Sequence, residues 1–166
     1  MRTSIVLAAG LLVLAGCRTP ERPRAADAAS APAGLAADES AQLAHAHYTD
    51  AINSNNLDSL MGMMTEDVVF LAAHAPPMIG KAAVRSWAAA YYDAFTTRWE
   101  KDNKEFVVTG EWAFERYDYR STDTPRAGGK PVTDTGWGLV LYHHDADGKW
   151  RVARDAFATD RPLPTN

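Results

Sequence analysis

The chain has 166 residues, 46% of them hydrophobic, and a formal net charge of -4 at pH 7. This length suits one domain with an additional segment, and the negative charge argues against nucleic-acid binding, which needs a basic surface. After the N-terminal segment, no apolar run approaches the roughly 20 residues of a membrane-spanning helix.

The N-terminus has the pattern of a bacterial export signal. Met1 and Arg2 form a short positive segment, and the apolar run IVLAAGLLVLAG that follows is too short to span a membrane. It ends in LAGC, which resembles the lipobox of bacterial lipoproteins, whose cysteine is lipidated and becomes the mature N-terminus. We therefore expect residues 1–17 to be a lipoprotein signal peptide and Cys17 to carry a lipid. A plain secretory signal followed by an unrelated cysteine is the alternative.

The same resemblance implies a location. Arg18, and not an aspartate, follows the cysteine, which by the sorting rules of diderm bacteria favours the outer membrane. We expect a membrane-anchored lipoprotein of the cell envelope, on the periplasmic face of the outer membrane if the organism has one. Cys17 is the only cysteine, so no intramolecular disulfide can form.

A short segment separates this signal from the rest of the chain. Residues 18–37 are rich in alanine and proline and poor in large apolar side chains, so burial cannot offset the entropy of ordering them. We predict a flexible tether there. Asp38 is a residue type that caps helices, so the folded domain is expected at residues 38–162, followed by a tail at 163–166.

Three helices are predicted in the first half of the domain. The first begins near Asp38 and has an apolar face with helical spacing, formed by Leu43, Ala44, His47, Tyr48, Ala51 and Ile52. Asn56 can cap a short second helix, and a strand from about Asp67 ends at the prolines 76–77. Gly80 precedes the third helix, whose buried stripe is Val84, Trp87, Ala88, Tyr91 and Phe95.

After the third helix the hydrophobic period changes to two, which indicates strands. Residues 97–120 predict one or two strands with a break near 102–103, and a polar loop follows at 121–131. Residues 132–144 predict the next strand, the DADG segment a hairpin turn, and residues 149–159 the last strand. Helices followed by about three long antiparallel strands are typical of an α+β fold.

The ordered set of segments resembles one known superfamily. NNLDSLMGMMTEDVVF, PPMIGKAAVRSW and TGWGLVLYHHDADGKWRVARDAF are together similar to the nuclear transport factor 2-like superfamily, which includes ketosteroid isomerases and SnoaL-like polyketide cyclases. The resemblance covers nearly all of residues 38–162 and is closest to the SnoaL-like group. It implies a cone-shaped, curved antiparallel or mixed sheet wrapped around three N-terminal helices, an apolar pocket at the open end, and a homodimer formed through the sheet.

The resemblance also implies where catalytic groups would lie. Ketosteroid isomerases use a carboxylate base on the first strand, with a tyrosine and a protonated aspartate as the oxyanion hole. Tyr48 keeps the tyrosine position, but the base falls at or next to Ala72 and the deep acid at or next to Val140. Neither side chain can perform that chemistry, so we expect the isomerase mechanism to be absent.

Two histidines are candidate acid–base groups. His74 lies two residues after Ala72, and strand alternation would place both on one face. A rim histidine bonded to water or to the proline loop is the alternative. His47 lies in the apolar stripe of the first helix, beside Tyr48, and is predicted to be an interior histidine without a catalytic role.

Glu115 and Asp155 are the acidic candidates on the later strands. Alternation places each on one face with its neighbours: Glu115 with Ala113, Tyr117 and Tyr119, and Asp155 with Phe157 and Thr159. If Asp155 faces a cavity, desolvation raises its pKa and suits it to proton transfer. The alternative is an ion pair with one of three arginines, Arg116, Arg151 or Arg154.

Aromatic residues are the main sign of a binding pocket. Nine rings exceed what a small core usually needs: Tyr48, Phe70, Trp87, Tyr91, Trp112, Phe114, Trp137, Tyr142 and Phe157. Five are predicted to contact a ligand: Tyr48, Phe70, Trp87, Tyr91 and Phe157. Trp87 and Tyr91 have the strongest support, because the resemblance places the third helix against the concave sheet. Simple core packing is the alternative for several of the nine.

No metal or cofactor is expected. His45 and His47 are two residues apart on a helix, and His143 and His144 are adjacent on a strand, so the members of each pair point apart. The remaining residues do not supply a set of His, Cys and Asp with ligand spacing.

The sequence therefore predicts a lipid-anchored, extracytoplasmic domain that binds a small apolar or aromatic molecule. Two alternatives remain open: an isomerase, lyase or cyclase that uses Asp155, Glu115 or His74 with Tyr48, and a non-catalytic dimeric interaction module. An ionisable group that points into the cavity within reach of a tyrosine would favour the enzyme.

Overall fold

A computed structural model describes the backbone of residues 30–162 and the side chains of residues 40–162. The predicted signal peptide, Cys17, the first part of the tether and the tail lie outside the described residues. The elements in chain order are α1 (Ser30–Asn53), α2 (Leu57–Gly62), β1 (Met64–Leu71), β2 (Met78–Ile79), α3 (Lys81–Ala94), β3 (Phe95–Thr109), β4 (Trp112–Pro125), β5 (Val132–His144) and β6 (Trp150–Thr159). No helix within residues 30–162 has the length and apolar character needed to cross a membrane.

Helix α1 begins at Ser30, earlier than the predicted start near Asp38. Residues 30–37, which their composition assigns to the tether, are therefore helical. Several of them are alanine, the residue with the highest helix propensity. Pro32 lies in the first turn, where the missing N–H costs no helical hydrogen bond.

The inward face of α1 differs from the predicted one. Among its residues 40–53, the buried side chains are Ala41, Ala44, Tyr48 and Ala51. Leu43 is 56% exposed and His47 is also exposed, so both were wrongly assigned to the interior. Small alanines let the helix approach the sheet on the face that carries Tyr48, and His45 rather than His47 turns toward the strands, where it contacts Glu115.

Helices α2 and α3 begin where the sequence predicts. Asn56 caps α2, because its side-chain oxygen accepts a hydrogen bond from the Ser59 N–H at 3.0 Å. Helix α3 follows Gly80, whose φ of 85° lies in the left-handed region that glycine tolerates. Strand β1 starts at Met64, earlier than the predicted Asp67.

The six strands form one mixed sheet in the order β2-β1-β6-β5-β4-β3. Strand β1 runs parallel to β6, and every other neighbouring pair is antiparallel. Helix α3 contacts both β1 and β3, which lie near opposite edges, so the sheet curves around the helices. The predicted α+β cone is confirmed.

Four long antiparallel strands are present instead of about three. Strands β3 and β4 are separate and meet at a turn formed by residues 110–111, so the predicted break near 102–103 is wrong. The pairing shows a β-bulge close to that point, with Lys104 as the extra residue, and the strand continues beyond it. Residues 121–125, predicted as loop, extend β4.

Candidate functional site

A cavity lies between the helices and the concave face of the sheet. The space open to the centres of water molecules is about 50 Å³, which is enough for a few ordered waters. Its wall consists of Tyr48, Ile52, Leu60, Phe70, Trp87, Ala88, Tyr91, Tyr92, Trp99, Lys101, Tyr117, Asp155 and Phe157.

Aromatic rings form most of this wall. Trp87 and Tyr91 stack at a centroid distance of 5.4 Å with an interplanar angle of 10°, and Phe70 lies 5.4 Å from Trp87. Phe157 extends the wall from β6 and contacts Phe70 at 5.8 Å. With Tyr48, all five residues predicted to contact a ligand border the cavity.

The other predicted rings lie elsewhere. Trp112 and Trp137 are 41% and 54% exposed on the outer face of the sheet, and alternation along β4 turns Phe114 to the same face. Tyr142 is buried next to Glu115, outside the cavity wall. The wall instead contains three rings that the sequence did not rank as ligand contacts: Tyr92, Trp99 and Tyr117.

One end of the cavity is polar. Asp155 is 3% exposed, the Tyr48 hydroxyl donates to its Oδ2 at 2.5 Å, and the Tyr117 hydroxyl lies 3.5 Å from its Oδ1. Burial raises the pKa of Asp155, although Lys101 and the two hydroxyls oppose the shift. Burial and the Asp155 charge also raise the pKa of Tyr48 and of Tyr117, so both phenols stay protonated.

A β-bulge in β6 turns Asp155 into the cavity. Trp150 and Val152 are buried at even positions of the strand. Ala153 is the extra residue of the bulge, because the pairing with β5 skips it. Beyond it the odd positions face inward, including Asp155. Strict alternation from Trp150 would turn Arg154 inward instead.

Asp155 lies beside the predicted position of the deep acid. Val140 is its cross-strand partner on β5, and the aligned acid falls at or next to Val140. The aligned position itself holds a valine, and the neighbouring strand places the Asp155 carboxyl next to it. Ala72 packs against the core outside the cavity wall, and the base position of the first strand holds only a methyl group.

The alternative prediction, an ion pair between Asp155 and one of three arginines, is wrong. Each of the three arginines is engaged elsewhere: Arg116 with Glu105, Arg151 with Asp145 and Asp147, and Arg154 with Asp67. Alternation and the bulge turn these guanidinium groups to the outer face of the sheet, away from Asp155.

A second buried carboxylate, Glu115, lies next to the cavity. The Tyr142 hydroxyl donates to it at 2.8 Å, and the Lys101 Nζ is 3.8 Å from its Oε2. His45 Nδ1 approaches Oε1 to 2.9 Å, but without the alignment of a hydrogen bond. Burial alone would raise the pKa of Glu115, yet His45, Lys101 and Tyr142 outweigh it and the pKa is lowered. Glu115 is therefore a carboxylate held by these partners.

Lys101 is the charged residue of the cavity wall that the sequence analysis missed. Its side chain is 2% exposed, and the amine lies 3.9 Å from the Tyr117 ring centroid and 4.7 Å from that of Tyr48. Such contacts with ring faces are favourable for a cation. The period of the strand could have indicated this position. Lys101 lies two residues after the inward-facing Trp99 on β3, so the two side chains share one face of the sheet.

Two glycines of β5 make room for tyrosines on the inner face. A Cβ at Gly138 would lie 2.4 Å from the Tyr117 hydroxyl oxygen, and one at Gly136 would lie 2.9 Å from the Tyr119 ring. Any larger residue would displace these rings or the adjacent β6 backbone. The TGWG segment therefore sets the position of Tyr117 next to Asp155.

His74 does not reach the cavity. Strand β1 ends at Leu71, and His74 lies exposed in the turn that follows, with a φ of 59°. Strand alternation with Ala72 does not apply there, so His74 is a surface histidine. Among the side chains of residues 40–162, no three His, Cys, Asp or Glu residues are grouped to hold a metal ion.

Comparisons with known proteins agree with this fold. The model of the SnoaL-like domain family matches residues 44–153, more than half of the chain. No curated protein matches significantly. Many solved structures share this fold. A ketosteroid isomerase-like protein from Erwinia carotovora has a TM-score of 0.68 and 24% identity, and the match covers 75% of this chain and 96% of that one.

A scytalone dehydratase candidate from Novosphingobium aromaticivorans has a TM-score of 0.69 and 15% identity, covering 78% of this chain and 88% of that one. A nuclear transport factor 2-like superfamily protein from Salmonella enterica has a TM-score of 0.66 and 14% identity, covering 80% and 96%. Such identities establish the fold alone, whereas the family match extends over most of the domain. The chain belongs to the SnoaL-like domain family, within the nuclear transport factor 2-like superfamily.

Proposed function

We propose that the domain binds a small, largely apolar molecule with a polar oxygen and transfers a proton to or from it, as an isomerase, lyase or cyclase does. The observation that carries this proposal is the Asp155–Tyr48 hydrogen bond at the polar end of an aromatic cavity. Burial raises the pKa of Asp155, which brings its proton transfer closer to neutral pH.

The same pair suits an oxygen that gains negative charge during a reaction. A protonated Asp155 has a hydrogen to donate to the ligand while the Tyr48 hydroxyl holds its Oδ2. Fixed donors in a water-poor site stabilise such charge more strongly than water does. Two solved structures with this fold carry the names of a ketosteroid isomerase-like protein and of a scytalone dehydratase candidate, and both names fit proton-transfer chemistry.

The cavity limits the size of the ligand. Its space of about 50 Å³ is smaller than the roughly 150 Å³ of an engineered cavity that accepts benzene. A ligand with one ring therefore requires the wall to move. Trp87, Tyr91 and Phe157 are partly exposed, so they can change position with a smaller loss of packing than the buried wall residues.

Binding without turnover is the second proposal. It is favoured by Ala72, because the position that the resemblance assigns to the base, directly after β1, holds only a methyl group. Asp155, held in place by the Tyr48 hydroxyl, would then bind the ligand oxygen by a hydrogen bond only. The two proposals differ in whether Asp155 changes the rate of proton exchange or only the strength of binding.

Hydrogen–deuterium exchange at carbon tests the enzyme proposal. Acetone, butanone and cyclohexanone are incubated with the protein in D₂O, and loss of the α-protons is followed by NMR. Asp155→Asn and Tyr48→Phe should each slow any protein-dependent exchange by about 100-fold or more. Asp58→Asn, at an 85% exposed side chain that pairs with Arg85, is the control. Thermal stabilisation by a ketone without exchange would support binding alone, and exchange that survives both variants would contradict the acid–base role.

We also propose that the domain is anchored in the cell envelope through a lipid on Cys17. The support is the LAGC sequence after a short apolar run. Mass spectrometry of the mature protein from membranes should find a lipidated Cys17 at its N-terminus. Cys17→Ser should release the protein from the membrane fraction, and an unmodified Cys17 or cleavage elsewhere would contradict the proposal.

A homodimer through the outer face of the sheet is likewise proposed. Exposed apolar side chains lie in adjacent positions there, since Phe114 pairs in register with both Val107 and Leu141. Leu139 is 45% exposed on the same face, and such patches are typical of interfaces. Light scattering should give the mass of two chains for the wild type and of one for Leu139→Glu. A monomeric wild type would contradict this proposal.

A further inference from the structure

We propose that the Lys101 amine is a nucleophile that condenses with a small aldehyde or ketone in the cavity and forms an imine. This inference deepens the proposed function, because it names carbonyl compounds as the ligand class. It rests on that function for the acid that assists the reaction, Asp155.

The first support is the position of the amine. Lys101 lines the cavity together with Tyr48, Tyr117 and Asp155. Its side chain is 2% exposed, so its charge is removed from water. Among the described residues, no hydrogen-bond partner reaches Nζ. The nearest carboxylate oxygen, Glu115 Oε2, is 3.8 Å away, which is beyond hydrogen-bond distance.

The second support is that this arrangement is unusual for a structural lysine. A buried lysine normally has several hydrogen-bond acceptors around its three N–H donors. Here two ring faces, those of Tyr117 and Tyr48, lie 3.9 and 4.7 Å from Nζ. A buried amine in a mostly apolar pocket is the type of lysine that forms imines with carbonyl substrates.

The electrostatic surroundings agree with that role. Burial lowers the pKa of Lys101, and the nearby Glu115 and Asp155 only partly oppose this shift. The ionisable groups that face the amine are Tyr48 from α1, Glu115 and Tyr117 from β4, and Asp155 from β6. The unprotonated amine, which is the nucleophilic form, is therefore more populated than for a lysine in water.

The proposed step conserves atoms and charge. The nitrogen lone pair forms a C–N bond to the carbonyl carbon, and a proton moves from nitrogen to oxygen to give a carbinolamine. The C–O bond then breaks, Asp155 donates a proton to the leaving oxygen, and water departs. The product is a protonated imine between Lys101 and the ligand carbon.

Reductive trapping tests this inference. The whole protein is treated at pH 7 with limiting acetaldehyde and sodium cyanoborohydride, which reduces an imine to a stable ethylated lysine. Peptide mass spectrometry follows each lysine with time. Lys130 is exposed and serves as one control. Lys104 is a second control on the same strand, because Asp102 and Asp118 raise its pKa.

We expect Lys101 to be ethylated about tenfold faster than Lys130 or Lys104. In urea, where the cavity is lost, the three rates should become similar. If burial only shields Lys101 from the reagents, Lys101 should be ethylated more slowly than Lys130. That result in the folded protein would overturn the inference. Asp155→Asn should slow ethylation at Lys101 alone. An equal effect at all three lysines, or none at Lys101, would contradict the assistance by Asp155.

The two proposals can fail separately. If Lys101 is not trapped but ketone exchange still depends on Asp155, only the imine is excluded. If Lys101 is trapped rapidly but exchange is insensitive to Asp155→Asn, the acid–base function fails and the reactive lysine stands. Lys101→Arg, which keeps the cation beside Glu115, should abolish trapping at position 101 and leave the rates at Lys104 and Lys130 unchanged.

Discussion

The Tyr48 hydroxyl donates a 2.5 Å hydrogen bond to Asp155, a residue 107 positions away in the chain. This contact joins the first helix to the last strand at the polar end of the cavity. It satisfies one oxygen of a carboxyl that is almost completely buried, where an unpaired polar group would be costly. The pair therefore couples the stability of the fold to the chemistry available in the cavity.

Tyr48→Phe should separate these two roles. The hydroxyl lowers the pKa of Asp155 against the larger raising effect of burial, so its removal should raise that pKa further. Loss of a hydrogen bond to a buried carboxyl should also reduce the free energy of unfolding by about 1–3 kcal/mol. Carbon-13 NMR titration of the aspartate carboxyls and urea denaturation measure the two effects.

The matched control for this prediction is Tyr92→Phe. The Tyr92 ring lines the same cavity, but its hydroxyl donates to the backbone oxygen of Ile52 at 3.1 Å. This variant should lose stability without changing the titration of Asp155. Identical titration curves for Asp155 in wild type and Tyr48→Phe would show that the hydrogen bond is not formed in solution.

Trp87→Ala should remove ligand binding while the protein still folds. Trp87 stacks on Tyr91 and contacts Phe70, so its loss opens one side of the cavity and should cost about 2–4 kcal/mol of stability. Cyclohexanone and phenol are suitable probes, and thermal unfolding reports any stabilisation. Trp137→Ala, on the outer face with 54% exposure, is the control and should bind like the wild type. Equal stabilisation of the Trp87 variant would remove this residue from the site.

Gly138→Ala should displace the Tyr117 side chain that lines the cavity. Its Cβ would approach the Tyr117 hydroxyl oxygen to 2.4 Å and the Ala156 carbonyl oxygen to 2.9 Å. We expect about 1–3 kcal/mol of destabilisation from overpacking and a displaced Tyr117. Gly62→Ala is the control, since a Cβ there meets no atom within 4 Å. Urea denaturation compares the two, and an unchanged stability for Gly138→Ala would mean that β5 and β6 can separate freely.

Glu115→Gln should lower stability in a pH-dependent manner. The pKa of Glu115 in the folded protein is below the ordinary value of 4.5, so the unfolded state takes up its proton first as the pH falls. Its stabilising contribution is therefore full above about pH 4.5 and is lost as the pH falls through the folded pKa. Removing one partner of a buried charge pair should cost about 3 kcal/mol at pH 7.

The measurement for Glu115 is urea denaturation of both proteins between pH 3 and pH 7. The difference between wild type and Glu115→Gln should shrink toward acid pH. Glu66→Gln is the control, because Glu66 is 88% exposed in its pair with Lys81 and should contribute less than about 1 kcal/mol. A difference that is constant over this pH range would contradict the assignment of an ionised Glu115.

Local sequence patterns correctly predicted much of the fold and the aromatic wall of the cavity. Asn56 caps its helix through contacts within a few residues, and the strand at residues 132–144 shows its period directly in the sequence. The rings of Trp87 and Tyr91 are one helical turn apart, so their common face follows from the helical period alone. These features depend only on neighbours along the chain, so local sequence patterns are enough to predict them.

The polar end of the cavity depends on pairing between strands and on packing of the helix, which local sequence patterns do not show. A bulge at Ala153 reverses which residues of β6 face inward, and no local period indicates a one-residue shift that depends on the partner strand. Local patterns also did not show that His45, and not His47, turns toward the strands. Nor did they show the surroundings of Lys101, which come from α1, β4 and β6. Long-range pairing places Tyr48, Lys101 and Asp155 together, because only packing of the helix against the curved sheet brings residues so distant in sequence into one buried site.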